Sequence, residues 1–267
     1  MKNSAQNHNN KQEQYKKAVS RWIIPSVTAF LVFSAGLVVF FTKPNEPDLT
    51  KPTSEPHALQ IINSDNIILP KPDLRSSNSI EAVMNSRRSK REFIDQNISL
   101  KQVSQMLWAA QGVTTDWGGR TAPSAKSTYP LTVYLIANKV DGLDAGQYQY
   151  IPGELKPVHE LKPIKKVELQ KAIFEQLNQN SFQYAPAVIL VTGNMAKMTE
   201  AMGGTPSNNS VYLEAGHVGQ NLYLQAESLK LGMVVIDAFT EARIRQLVTL
   251  PASETLIYMV PFGIPKL

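Results

Sequence analysis

Most of the chain after residue 78 alternates between helical and strand-like hydrophobic patterns. Between residues 99 and 112 the apolar side chains fall every three or four positions, at Val103, Met106, Leu107 and Ala110. This spacing predicts a helix that Ser99 caps and Gly112 closes. Similar spacing predicts helices at 79–88, 168–177, 210–231 and 241–248. Short apolar runs predict strands at 131–137, 146–151, 187–192, 233–239 and 255–262. The irregular order of helices and strands predicts an α+β fold.

A different pattern lies near the N-terminus, where residues Trp22 to Thr42 include no charged side chain. As a helix this stretch would be roughly 30 Å long, which matches the hydrocarbon core of a bilayer. We therefore expect one transmembrane helix at 22–42. A cleaved signal peptide is the alternative, but the run is long for such a peptide and small residues are missing after Phe40 and Phe41.

The charges that flank the apolar stretch predict its orientation. The charged residues before the stretch are basic except for Glu13, whereas residues 43–55 carry mixed charges. The positive-inside rule then places the N-terminus in the cytoplasm and the folded domain outside it, as in a single-pass protein of a bacterial inner membrane. We expect a disordered tail at 1–21, a proline-rich linker at 43–77 and the folded domain at 78–267.

Composition restricts the chemistry that side chains alone could perform. The 267 residues include no cysteine and four histidines, and the net charge is +5. Disulfides, thiolate nucleophiles and cysteine-ligated zinc are excluded, and the histidines show no spacing typical of metal ligands. We expect no metal site. Such a chain usually depends on a bound organic cofactor.

A cluster of basic residues is the strongest candidate for cofactor binding. Three guanidinium groups and one hydroxyl, from Arg87, Arg88, Ser89 and Arg91, are suited to a phosphate monoester. A solvated basic run, or a patch for nucleic acid or lipid, is the alternative. The polar, proline-bounded loop from Arg120 to Pro130 favours a flat cofactor with a phosphate tail, so we expect no nucleic-acid partner.

Seven segments in order along the chain carry a resemblance to a known family. They are residues 68–72 (ILPKP), 87–93 (RRSKREF), 107–112 (LWAAQG), 120–130 (RTAPSAKSTYP), 142–150 (GLDAGQYQY), 216–221 (GHVGQN) and 260–263 (VPFG). With them the chain resembles the nitroreductase-like flavoenzymes, and within these the SagB/ThcOx-type dehydrogenases. The resemblance implies a mixed β-sheet covered by helices, in an intertwined homodimer with one FMN at each subunit interface.

The resemblance also implies which residues contact the cofactor. Arg87 and Ser89 would bind its phosphate and ribityl chain. The loop along the isoalloxazine ring would include Pro123, Ser124, Ala125 and Ser127. Backbone amides facing N5 and O4 of the ring would come from the strand end at Val235, Ile236, Asp237 and Ala238. The chain departs from its relatives at Lys126 and at Asp237 and Ala238, where glycine is common.

The long predicted helix contributes a third group of candidates. Gly216, Gln220 and Asn221 are expected on one of its faces, and the small residue would allow close approach of the ring or of another backbone. Either flavin contact or a polar network at the dimer interface would explain Gln220 and Asn221.

The resemblance implies a membrane-anchored, FMN-dependent oxidoreductase that transfers a hydride or two electrons through flavin N5, without a catalytic side chain. Its substrate would be a small molecule or a peptide. Two alternatives stay open. One is an NAD(P)H-dependent nitro or quinone reductase. The other is a flavin-fold protein that binds a ligand without turnover, because its pocket departs from the family pattern.

Overall fold

The computed structural model describes residues 66–266. The expected tail at 1–21, the apolar stretch at 22–42 and the linker up to residue 65 lie outside this range. Within it, none of the helices combines the length and the apolar character that crossing a bilayer requires.

Nine strands and six helices form the described part of the chain. The strands are β1 (Ile67–Ile68), β2 (Ile98–Ser99), β3 (Leu131–Ala137), β4 (Val140–Asp141), β5 (Gly146–Ile151), β6 (Glu160–Lys166), β7 (Ala187–Gly193), β8 (Gly232–Met233) and β9 (Thr255–Gly263). The helices are α1 (Ile80–Ser86), α2 (Leu100–Gln111), α3 (Gln170–Leu177), α4 (Met195–Ala201), α5 (Asn208–Ser228) and α6 (Glu241–Ile244). The predicted α+β class is confirmed.

Seven of these strands form the central sheet, in the order β1-β6-β5-β3-β7-β9-β8. Every pairing in it is antiparallel, and within residues 66–266 parallel pairing is confined to β2 and β4. The expectation of a mixed sheet is therefore corrected. Short connections such as the one between β5 and β6 favour antiparallel neighbours, and a hydrophobic pattern predicts a strand but not its direction.

The sheet separates two layers of apolar side chains, because successive residues of a strand point to opposite faces. Val133 and Leu135 of β3 join the core beneath α2 and α5. Tyr134 and Ile136 join the opposite core, together with Ile173 of α3. The long helix α5 is thus fixed on one face of the sheet, where it can position residues along its whole length.

Local sequence signals account for several element boundaries. Ser99 and Gln102 form a capping box at the start of α2, as the predicted cap at Ser99 requires. The strand expected at 233–239 is shorter, since pairing ends at Met233 and resumes only at Ile236, which bridges to Met259. Residues after Ile236 are consequently free of the sheet.

The segment before α1 belongs to the folded unit. Leu69 is only 3% exposed, and the Ser104 hydroxyl donates a hydrogen bond to the Pro70 carbonyl. The buried His159 contacts the same Pro70 carbonyl through its Nε2. Its Nδ1 lies 2.8 Å from the Tyr150 hydroxyl. Burial lowers the pKa of His159, which favours its neutral form. Ordered structure therefore begins before the boundary that the sequence suggested near Asn78.

Candidate functional site

A tyrosine on α5 connects the basic turn to the strand end. The Arg87 guanidinium lies 4.9 Å from the centroid of the Tyr223 ring. The Ser89 hydroxyl lies 2.9 Å from the Tyr223 hydroxyl, which also accepts a hydrogen bond from the Val235 amide at 3.1 Å. Two segments predicted to contact one cofactor, the basic turn and the strand end, therefore meet at Tyr223.

The other cationic side chains of the turn differ in whether protein groups already bind them. Arg88 donates to the carbonyls of Asn85 at 2.9 Å and Arg87 at 2.8 Å, at the C-terminal end of α1. Lys90 pairs with Glu227 of α5 at 3.4 Å. Arg91 is exposed and forms no ion pair with any residue in the range 66–266. Arg87 and Arg91 are the guanidinium groups best placed to meet an anion, while the assignment of Arg88 stays a prediction.

Lys266 extends this basic region from the C-terminus. Its amide donates to the Glu92 carbonyl at 3.0 Å. The C-terminal end of the chain is thereby held beside the basic turn.

The strand end offers unused backbone donors. Asp237 and Ala238 are exposed, and their amides donate to no group of residues 66–266. The Ile236 amide is not available, because it donates to Met259 at 2.9 Å. A free pair of amides beside a cation cluster is suited to an acceptor atom of a bound ligand.

The loop at 120–129 has a strained backbone that an internal hydrogen bond holds in place. Lys126, Ser127 and Tyr129 have positive φ angles of 53°, 53° and 47°, a region that non-glycine residues rarely adopt. The Ser124 hydroxyl accepts a hydrogen bond from the Tyr129 amide at 2.8 Å. Such strain is common where a loop must hold a particular shape for function.

The structure explains the departure at Lys126. Glycine in relatives would adopt this positive φ without strain, whereas here the Lys126 ammonium donates to the Ala201 carbonyl of α4 at 2.9 Å. The lysine therefore ties the loop to the end of α4. Pro123 and Ser127 are exposed in the same loop, and Ala125 packs partly against the core.

In one copy of the chain the loop and the basic turn lie on opposite sides of α5. Glu214 faces the loop, because it accepts a hydrogen bond from Gln111 at 3.1 Å, and Gln111 in turn accepts one from Arg120 at 3.1 Å. Tyr223, nine residues later, faces the turn. Nine residues are about two and a half helical turns, so the two side chains point in opposite directions roughly 14 Å apart along the axis.

The three polar or small residues of α5 divide between these sides. Gly216 and Gln220 are exposed and lie on the Tyr223 side by helical spacing. Asn221 instead donates to the Thr121 carbonyl at 3.0 Å and ties α5 to the loop. The expectation that all three share one face is corrected, since a difference of five residues rotates a side chain by about 140°.

A buried polar cluster that the sequence did not predict supports the loop. The Gln111 amide donates to Glu214 Oε1 at 3.1 Å, and its carbonyl oxygen accepts from Arg120 at 3.1 Å. Burial raises the pKa of Glu214, opposed by hydrogen bonds from Ser124 and Gln111 and by the Arg120 charge. Tyr223 was missed as well, although its spacing of three residues from Gln220 on a common face is a signal that could have found it.

Comparison with known proteins identifies relatives over most of the chain. Residues 84–264 match the model of the nitroreductase family. A proposed nitroreductase of Methanocaldococcus jannaschii is 35% identical over 199 residues, which cover 74% of this chain and 97% of that protein.

Two solved structures have the same fold. A proposed nitroreductase of Ralstonia eutropha is 27% identical, with a TM-score of 0.64 over 81% of this chain and 98% of that chain. A proposed nitroreductase of Anabaena variabilis is 25% identical, with a TM-score of 0.60 over 70% of this chain. This chain spans only 38% of the length of the Anabaena protein.

Proposed function

Because the chain belongs to the nitroreductase family and is an FMN-dependent oxidoreductase, we propose that it is a membrane-anchored reductase of small organic acceptors such as nitro compounds or quinones. The observation that carries the proposal is the meeting of Arg87, Ser89 and the strand end around Tyr223. It supplies a cation and a hydroxyl for a phosphate, and free amides at Asp237 and Ala238 for a ring edge. These residues fit FMN.

The chain's own part in catalysis is to bind and orient. When bound, FMN supplies the two-electron chemistry. Arg87 and Arg91 would neutralise the phosphate charge, and the amides of Asp237 and Ala238 would donate to the ring edge. No side-chain nucleophile is required.

We propose that the working unit is a homodimer. The basic turn and the loop at 120–129 lie on opposite sides of α5, so a cofactor that contacts both must take the loop from a second copy. Exposed apolar side chains near α1 and α5 support such an interface; they are Ile80, Met84, Tyr212 and Leu213. The FMN of each site would then lie between two subunits.

Turnover is more consistent with this site than ligand binding alone. The Lys126 ammonium donates to the Ala201 carbonyl of α4. Asp237 and Ala238, a mild departure from the family pattern, keep their amides free within residues 66–266. The departures from the family pattern therefore do not block the positions that a flavin needs.

A second candidate is oxidation of azoline rings in modified peptides, as in SagB/ThcOx-type dehydrogenases. It is favoured by the resemblance at 216–221, where Gly216 is exposed and an added Cβ atom would meet no atom within 4 Å. That open surface could accept a peptide as well as a second subunit.

The absorption spectrum of the purified protein tests the function. We expect a yellow protein with about one FMN per subunit, bleached by NAD(P)H or dithionite and reoxidised by nitrofurazone or menadione. Reoxidation by these acceptors with no effect of an azoline peptide supports the reductase. A flavin that only the azoline peptide reduces would select the second candidate, and a colourless protein that takes up no added FMN would overturn both.

We further propose that residues 22–42 anchor the protein in a membrane with the folded domain outside the cytoplasm. The charges flanking the stretch support this orientation. Nicotinamide donors are scarce outside the cytoplasm, so a membrane quinol or a partner protein would be the donor in the cell, and NAD(P)H a donor in the assay.

A reporter pair fused after Leu267 tests the orientation. We expect alkaline phosphatase, which needs export, to be active, and a cytoplasmic fluorescent reporter to be dark. The opposite pattern would place the domain in the cytoplasm and make NAD(P)H the donor there.

A further inference from the structure

A cavity of about 260 Å³ opens beside the loop at 120–129. Its wall is formed by the first residues of β3, the last residues of β5 and the turn that follows β5. Two cations line it, Arg120 and Lys197, and two tyrosines, Tyr129 and Tyr150. It lies on the loop side of α5, away from the basic turn.

Arg120 has no anionic partner in this cavity. Within residues 66–266 no carboxylate oxygen lies within 4.0 Å of its guanidinium. One terminal nitrogen donates a hydrogen bond to Gln111 at 3.1 Å. The other donates to the Gly153 carbonyl over a long distance of 3.5 Å. Its Nε is buried and unpaired within the same range. Burial of a cation without an anionic partner costs free energy, and a bound anion would offset that cost.

The geometry of the guanidinium is fixed in advance. Its carbon lies 4.4 Å from the centroid of the Tyr129 ring, and the Tyr129 hydroxyl accepts a hydrogen bond from the Arg120 amide at 3.3 Å. Stacking keeps the planar group in one orientation, which reduces the entropy lost when a ligand binds.

The two carboxylates nearest the cavity, Glu214 and Glu154, form no direct ion pair with Arg120. Glu214 is 1% exposed and its Oε1 is occupied by Gln111. Burial raises the pKa of its carboxyl group, which favours the neutral form. Glu154 is exposed at the rim, where solvent screens its charge.

Lys197 adds a second positive charge. It is exposed, donates to the Tyr129 carbonyl at 3.0 Å and forms no ion pair within residues 66–266. The cavity is therefore lined by two cations, neither of which forms an ion pair within residues 66–266.

We propose that this cavity binds the carboxylate of a small aromatic acid, with Arg120 as the principal anchor and Lys197 at the rim. A planar guanidinium matches a carboxylate in bidentate geometry, and the two tyrosines supply flat apolar walls. Binding of the acid does not depend on FMN. Binding of the acid also implies that aromatic acids are preferred electron acceptors, and this second statement rests on the proposed reductase function.

Calorimetric titration of the purified protein with benzoate and with benzamide tests the site. The two probes have nearly the same shape and differ in charge. We expect benzoate to bind at least about tenfold more tightly, as a charge-assisted hydrogen bond implies. Arg120→Met should abolish that preference, and Lys197→Met should weaken benzoate binding severalfold. Lys171→Met, which removes an exposed lysine of α3, should leave it unchanged.

Equal affinity for the two probes, or benzoate binding that survives Arg120→Met, would overturn the proposal. Inorganic phosphate that binds as tightly as benzoate would also overturn it, because the cavity would then be a nonselective anion patch. Melting temperatures report whether Arg120→Met folds. Should it not fold, Arg120→Lys, which keeps the charge, should retain a reduced preference for benzoate, and a complete loss in that variant would count against the site.

Reduction of 4-nitrobenzoate and 4-nitrobenzamide separates this inference from the proposed function. A protein that reduces both equally, without benzoate selectivity, is a reductase that lacks the site. One that binds benzoate through Arg120 but reduces neither compound has the site without the reductase activity.

Discussion

Replacing Arg87 and Ser89 together by alanine should abolish FMN retention while the fold survives. Both groups border Tyr223, at 4.9 Å for the Arg87 guanidinium and 2.9 Å for the Ser89 hydroxyl. Each charge-assisted hydrogen bond to a phosphate contributes about 1.5–3 kcal/mol. Loss of two should weaken FMN affinity roughly a hundredfold to ten-thousandfold. Neither side chain belongs to the buried core, so circular dichroism should remain unchanged.

The ratio of absorbance at 450 nm to that at 280 nm measures FMN retention after purification. A matched control, Arg75→Ala with Ser77→Ala, removes the same groups from an exposed segment and should keep its flavin. A double variant at Arg87 and Ser89 that still purifies with one FMN per subunit would refute the assignment of the phosphate site.

Replacing Gly216 by tryptophan should yield a monomer that lacks FMN. Within one copy Gly216 is exposed and a Cβ atom added there meets no atom within 4 Å, so a larger side chain can extend into solvent and should not disturb the subunit itself. It should even favour helix α5 slightly, because glycine costs about 1 kcal/mol in a helix interior. At the proposed interface, however, a bulky side chain would prevent the second copy from approaching and bringing its loop to the flavin.

Light scattering coupled to size-exclusion chromatography measures the mass, and the visible spectrum measures the flavin. Gly216→Ala should remain dimeric and yellow because it adds only a methyl group. Lys171→Trp places the same bulk on exposed α3 and should also remain dimeric. A Gly216→Trp protein that stays dimeric with full FMN would show that this face of α5 is not the interface.

Local signals in the sequence were sufficient for much of the fold. Periodic apolar residues predicted α2 and α5, and the capping box at Ser99 depends on residues only three positions apart. The apolar run at 187–192 coincides with β7, which is buried throughout. Each of these features depends on neighbours in the chain, which is why a pattern can report it.

Part of the candidate site could be predicted from the sequence. The basic turn was recognisable from clustered guanidinium groups, and the loop from its resemblance to relatives. Asp237 and Ala238 were expected at a strand end, and the structure places them just beyond the last bridge, at Ile236. The sequence analysis did not single out Tyr223, which joins the basic turn to Val235 at the strand end, because a tyrosine on a long helix is ordinary until its neighbours are known.

By itself the sequence determined the α+β class, the positions of most elements, the apolar stretch at 22–42 and the cluster of guanidinium groups in the basic turn. Only the tertiary structure decided the direction of the strands, the separation of the loop from the turn across α5, and the buried contact of Gln111 with Glu214. That contact joins residues 103 positions apart. Local patterns report which face of an element is apolar, whereas such contacts depend on how distant elements pack, and packing exists only once the chain has folded.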